Sequence, residues 1–132
     1  VKYLIDASVL ADAVRGHLAI VLKLQALKPS DVAVSVFSQV EAEIALRLKP
    51  AAQARYGKLL KEFLGAVHRL DFGAAEAQQA VVIGSYLRAA GETLAPLDLW
   101  LAATATARRL TLVTDRGSAF AAVPNLDIET WS

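Results

Sequence analysis

The chain has 132 residues, 55% of them hydrophobic and 20% charged, with a formal net charge of +1; this balance excludes a disordered chain and fits one folded domain spanning 1–132. It contains no cysteine, which excludes disulfides, thiolate zinc and thiol nucleophiles and fits a reducing cytoplasm. No apolar run reaches the roughly 20 residues of a membrane span, the longest candidate, His17–Leu27, carries Lys23 and Gln25, and no basic segment precedes a small-residue cleavage site.

Lys2–Asp6 is predicted as a buried strand, with Ser8 suited to cap a short helix over Val9–Val14. Arg15-Gly16-His17 breaks that helix. Leu18–Leu27 has helical apolar spacing until Pro29 stops it. Val32–Val36 is β-branched and predicts a second strand. Ser38 starts a helix to about Leu48, and Pro50 stands where another begins. Tyr56, Leu59, Leu60, Phe63 and Leu64 recur at three and four, the signature of one amphipathic face. Val67–Leu70 is a candidate third strand, and Ala74–Ala90 is a long alanine-rich helix closed by Gly91. Pro96–Arg109 is a further helix, Thr111–Thr114 a strand and Leu126–Glu129 a last short strand. Strands alternating with helices at this spacing predict an α/β fold with a mainly parallel central sheet. Right-handed crossovers then place helices on both faces, and sites form beyond the carboxyl ends of the strands.

Four acids stand at or just after the ends of apolar runs: Asp6, Glu41, Asp98 and Asp115. In a parallel sheet those ends converge. Carboxylates crowded together repel each other and raise each other's pKa; a hard divalent cation with oxygen ligands, Mg²⁺ or Mn²⁺, relieves the repulsion. Each acid also has a purely structural alternative. Asp6 can cap a helix or sit in a turn. Ser38-Gln39-Val40-Glu41 fits a capping box, in which Glu41 bonds back to the cap. Asp98 falls in the first turn of a helix, where the macrodipole favours any carboxylate, although its neighbours Leu97, Leu99, Trp100 and Leu101 are apolar. Asp115 precedes Arg116-Gly117 and suits a turn. Glu43 points to another helix face than Glu41. His17 and His68 are isolated, so a Ser–His–acid triad has little support, and there is no glycine-rich phosphate loop. Ser8 two residues after Asp6 argues against a haloacid-dehalogenase-like phosphatase, which needs a second Asp there. If the four acids share a pocket, the rest of the surface is basic: Arg47, Lys49, Arg55, Lys58 and Lys61 lie close in sequence, and Arg108, Arg109 and Arg116 form a second group. Either group can track a phosphate backbone or simply cover a solvated helix face.

In combination these segments resemble the PIN-domain family, and most closely its VapC toxin branch. The first segment is Tyr3-Leu4-Ile5-Asp6-Ala7-Ser8, a strand ending in Asp, a small residue and Ser. Ser35, Ser38 and Glu41 match the second, in a register that selects Glu41 over Glu43. Pro96-Leu97-Asp98-Leu99-Trp100-Leu101-Ala102-Ala103 matches the third. Leu112-Val113-Thr114, Phe120, Val123-Pro124-Asn125-Leu126 and Trp131 match the fourth. One departure stands out: the family usually has its fourth acid two residues after the Thr, where this chain has Arg116, with Asp115 one residue early.

The resemblance implies a PIN-like three-layer α/β/α sandwich and a metal-dependent endoribonuclease, the toxin of a type II toxin–antitoxin pair. Asp6 and Asp98 would hold the principal Mg²⁺ or Mn²⁺, with Glu41 on a second ion or taking the proton of the attacking water. Asp115 would complete the shell, while Ser8, Thr114 and Arg116 would orient ligands or meet the RNA. The resemblance further implies a homodimer and a cognate VapB-type antitoxin whose C-terminal segment fills the cleft, with no membrane role. The rival expectation is a catalytically weakened PIN-like module that binds RNA or a protein. A phosphoaspartate receiver domain is disfavoured, because it needs paired acids after its first strand and a lysine near its end.

Overall fold

The computed structural model describes residues 1–132 and contains five strands and six α-helices. The strands are β1 (Tyr3–Ile5), β2 (Val32–Ser35), β3 (His68–Leu70), β4 (Thr111–Val113) and β5 (Ile128–Glu129). They form one sheet in the order β3-β2-β1-β4-β5, and every pairing is parallel. The sheet is therefore wholly parallel rather than mainly so. β1, first in the chain, lies at its centre. Leu4 aligns with Ala33 on one side and Leu112 on the other.

The helices are α1 (Ala7–Val14), α2 (Leu18–Gln25), α3 (Val36–Arg47), α4 (Pro50–Ala66), α5 (Ala74–Ala89) and α6 (Pro96–Arg108). Period-two alternation along the strands divides the interior into two cores. Leu4, Ala33, Leu70 and Leu112 pack with Ile83 and Leu87 of α5, Leu101, Ala102 and Ala105 of α6, and Phe120. Ile5, Val32, Val34 and Val113 pack on the opposite face with Val9 and Leu10 of α1, Ile20 of α2, Ala42 and Leu46 of α3, Leu60 and Leu64 of α4, and Trp131. Helices thus cover both faces, the three-layer arrangement. Near-continuous apolar strands are what a sheet buried on both sides requires.

Most predicted elements are present with ends shifted by one or two residues. Two boundary differences matter for function. α1 begins at Ala7, capped by Asp6 rather than by Ser8, and α3 begins at Val36, capped by Ser35 rather than by Ser38. Two short 3₁₀ turns, Pro29–Asp31 and Gly117–Phe120, were not anticipated. α5 stops as predicted. Gly91 takes a left-handed φ of 75°, which lets the Glu92 N–H return to the Leu87 carbonyl at 2.8 Å. No helix is long and apolar enough to cross a membrane.

Candidate functional site

Three of the four predicted acids reach one place. A cleft of about 300 Å³ at the carboxyl ends of β1 and β2 is lined by Asp6, Ser8, Ser35, Ser38, Glu41, Asp98 and Arg116, with Ala7, Phe37, Ala95, Leu97 and Leu101 completing its walls. Segments more than 90 residues apart in the chain meet there only because β1 lies centrally in the sheet.

Asp6 is the most constrained of the three. Its backbone N–H continues the sheet, donating to the Val113 carbonyl at 3.1 Å. Its Oδ1 accepts the Val9 N–H at 2.9 Å, capping α1, and its Oδ2 accepts the Thr114 hydroxyl at 2.6 Å. Asp6 is only 2% exposed and Thr114 is fully buried. A carboxylate withdrawn this far from water is tolerable only with such donors. Thr114 in turn accepts the Arg116 N–H at 3.0 Å, so one hydroxyl links the acid to the turn after β4. Replacing Thr114 with Val keeps the shape and removes both bonds. The expected loss is about 1–3 kcal/mol of unfolding free energy, read by urea denaturation; an unchanged midpoint would show that the link contributes nothing.

Glu41 reaches the cleft because the predicted capping box does not form. Ser35 Oγ takes the Ser38 N–H at 3.1 Å, which places Ser38 inside α3 and moves Glu41 into the second turn, on an exposed surface. Gln39 engages Glu43 instead, at 3.0 Å. Asp98 lies in the first turn of α6 with its side chain 15% exposed. Both its oxygens accept from the Arg116 guanidinium, Oδ1 at 2.7 Å and Oδ2 at 3.1 Å.

Asp115 is not brought to the cleft. It is exposed and accepts the Ser132 hydroxyl at 2.6 Å. The physical reason is local: the Thr114 side chain turns inward to Asp6, so the next residue points away, and Arg116 returns. The anticipated basin of four acids is thus three acids and one cation. The Arg116 pKa is raised, chiefly by its hydrogen bond to Asp98; burial opposes this, and the charges of Asp98, Asp6 and Glu41 add to the rise.

The basic residues are distributed differently from their sequence grouping. Arg108 pairs with the buried Glu76 of α5 at 3.0 Å, far from the role of Arg116. Arg47 and Lys61 line, together with Arg69, one groove of about 520 Å³ between α3 and α4. Phe37 and Leu97, which carried no functional signal in the sequence, also line the acid cleft. The sequence clue to Phe37 is its position two residues beyond the end of β2.

The donor set suits a hard divalent cation in kind, since every side-chain ligand it offers is oxygen. Arg116 already acts there as a stand-in cation on Asp98. With that guanidinium in place, no three acids of the chain close around a common point to enclose an ion.

A parallel α/β sheet with distant carboxylates gathered in a cleft at its strand ends defines the class of protein. The sequence model of the PIN domain matches residues 3–126, and the chain belongs to the PIN domain family. The same fold occurs in a chain of VapBC2 from Rickettsia felis bound to a promoter DNA fragment (23% identity, 100% of both chains, TM-score 0.87). It also occurs in DNA-bound VapBC from Salmonella typhimurium (21% identity, 100% of this chain and 99% of that one, TM-score 0.89). FitAcB from Neisseria gonorrhoeae is similar over 96% of each chain, at 27% identity and a TM-score of 0.82. No curated protein sequence matches the chain.

Proposed function

We propose that this chain is the toxin of a toxin–antitoxin pair and acts as a Mg²⁺- or Mn²⁺-dependent endoribonuclease. The observation that carries the reading is the convergence of Asp6, Glu41 and Asp98 on one cleft at the strand ends. Asp6 and Asp98 would hold the ion, with Glu41 nearest to a second. Bound there, the ion would lower the pKa of water and offset charge on the phosphodiester oxygens. The chain's own contribution is position. Asp6 is held between a helix cap and the Thr114 hydroxyl, so its carboxylate enters the cleft in one orientation. Glu41, exposed on α3, is free to take the proton of the attacking water. Ser8 and Arg116 line the same cleft and can meet non-bridging phosphate oxygens, Arg116 after leaving Asp98. In-line attack then leaves a 5′-phosphate and a 3′-hydroxyl.

The partner of this reading is a VapB-type antitoxin. An apolar groove of about 250 Å³ between α1, α3 and α4, walled by Ala11, Val14, Ala42, Leu46 and Tyr56, shares Ala7, Ser8 and Glu41 with the acid cleft. An antitoxin segment with apolar side chains for the groove and an Arg or Lys for the acids would cover both. A homodimer belongs to the same reading.

The purified chain incubated with RNA is expected to cut it in Mg²⁺ or Mn²⁺, to stop in excess EDTA, and to leave 5′-phosphate ends. Cleavage that persists without a divalent ion would overturn the metal dependence, and no cleavage under any condition would overturn the enzyme. One observation favours the second reading, a weakened module that binds RNA or protein: Arg116 engages both oxygens of Asp98. Calorimetric titration with Mn²⁺ separates the two readings, because a degenerate site gives no saturable heat.

A further inference from the structure

Beside the acids lies a group of aromatic rings that the chemistry above does not use. Phe37 follows the end of β2, Phe72 follows the end of β3, and Trp100 stands on α6. The Phe37 and Trp100 centroids are 5.1 Å apart at an interplanar angle of 34°. Phe72 stands edge-on to Phe37 at 5.4 Å and 6.2 Å from Trp100. The three sheet and helix ends that carry them come together at the same end of the molecule as the carboxylates. Phe37 lines the acid cleft itself, and Leu97, 41% exposed, lies on the same rim.

Their grouping beside the acid cleft sets them apart from the other half-buried aromatics, Tyr3, Tyr56 and Phe63. Phe120 and Trp131 are core residues, whereas Phe37, Phe72 and Trp100 all remain partly open to solvent. An open aromatic cluster at the lip of an anionic cleft gains nothing from the carboxylates and forgoes full burial. It does offer a nucleobase aromatic surface on the wall of the cleft to which the ribonuclease reading brings the scissile phosphate. Every base has a π face, so such a platform tolerates sequence while requiring an unpaired strand.

From this arrangement we infer that Phe37, backed by Trp100 and Phe72, is a base-stacking subsite for the unpaired nucleotide beside the scissile phosphate. The inference rests on the ribonuclease reading for the position of that phosphate, and it extends that reading to how the strand is held. Phe37 is the ring the base would touch; Trp100 and Phe72 position it. In an extended strand the base stacks here while its phosphate faces Asp6 and Asp98.

The test compares the wild type with Phe37→Leu, which keeps apolar bulk without a π face, and with Phe37→Trp, which restores one. Each is first checked for an unchanged thermal midpoint. Binding is measured by calorimetry in Ca²⁺ with two single-stranded RNA octamers of equal charge, one fully base-bearing and one abasic throughout. The wild type is expected to prefer the base-bearing octamer about tenfold. Phe37→Leu should lose most of that preference, and Phe37→Trp should keep it. In cleavage assays Phe37→Leu should raise KM about tenfold, with the larger part of the effect in KM rather than kcat. Equal binding of the two octamers by the wild type overturns the subsite whether or not RNA is cut. A preserved preference in Phe37→Leu overturns the assignment to Phe37. A wild type that stacks bases yet cuts nothing overturns the nuclease and leaves the subsite standing.

Discussion

Asp6→Asn is expected to lower RNA cleavage about 10³-fold while leaving the domain folded. The separation of the two effects follows from the two bonds of the carboxylate. An Asn oxygen can still accept the Val9 N–H, so the cap of α1 survives, and the Thr114 hydroxyl can rotate to accept from the new amide. What disappears is the negative charge of a residue that is 2% exposed. Asp6→Ala removes the charge and both hydrogen bonds, so it should also cost about 1–3 kcal/mol of stability. Steady-state cleavage and urea unfolding, measured on both variants, separate the contributions. Asp98→Asn should match Asp6→Asn in cleavage, since it empties the facing carboxylate. If Asp6→Asn cuts RNA within tenfold of the wild type, Asp6 holds nothing the reaction uses.

Arg116→Gln is expected to tighten Mn²⁺ binding about tenfold, and Arg116→Asp about a hundredfold, because site affinity follows ligand charge. The wild-type guanidinium holds both Asp98 oxygens at hydrogen-bonding distance, and an ion must displace it to use them. The side chain is half exposed, so it can swing into water, and its competition is moderate rather than absolute. The Gln variant removes the competing charge. The Asp variant also adds a carboxylate at the position where the family usually has one. The pH dependence has a definite sign. A raised Arg pKa means the guanidinium keeps its charge throughout the range below the group's ordinary value and gives it up only above that value. Arg116 should therefore produce no step in Mn²⁺ affinity across roughly pH 6–9, where arginine stays charged. Calorimetry of the three proteins reads these effects directly. Equal dissociation constants would mean that Arg116 does not contest the site, and that the pair with Asp98 is an ordinary surface contact.

The architecture was legible because it depends on pattern. Apolar β-branched runs separated by helix-length segments leave few options besides a parallel sheet, and Tyr3-Leu4-Ile5, Val32–Val34 and Leu112-Val113 all fell where expected. Cap positions were less legible, since Asp6 and Ser8, or Ser35 and Ser38, are equally good cap residues. Only the point where the strand ends selects between them. That choice had a functional consequence: moving the cap of α3 from Ser38 to Ser35 released Glu41 from a capping role into the cleft. The turn after β4 was not readable, because alternation along a strand says nothing about the side-chain directions beyond its last pairing. Hence Asp115 was expected where Arg116 stands. The aromatic lip was invisible for a different reason. Phe37, Phe72 and Trp100 belong to separate crossovers, and sheet order is what makes them neighbours.

The bond between Thr114 and Asp6 joins positions 108 residues apart, and the strand that leads into Asp6 is flanked by β2 and β4. Because synthesis runs from β1 toward β4, the acid at the end of β1 acquires its final orientation only after β4 has been made. Contacts of such long range form slowly, and a nascent chain stalled before β4 has no finished cleft.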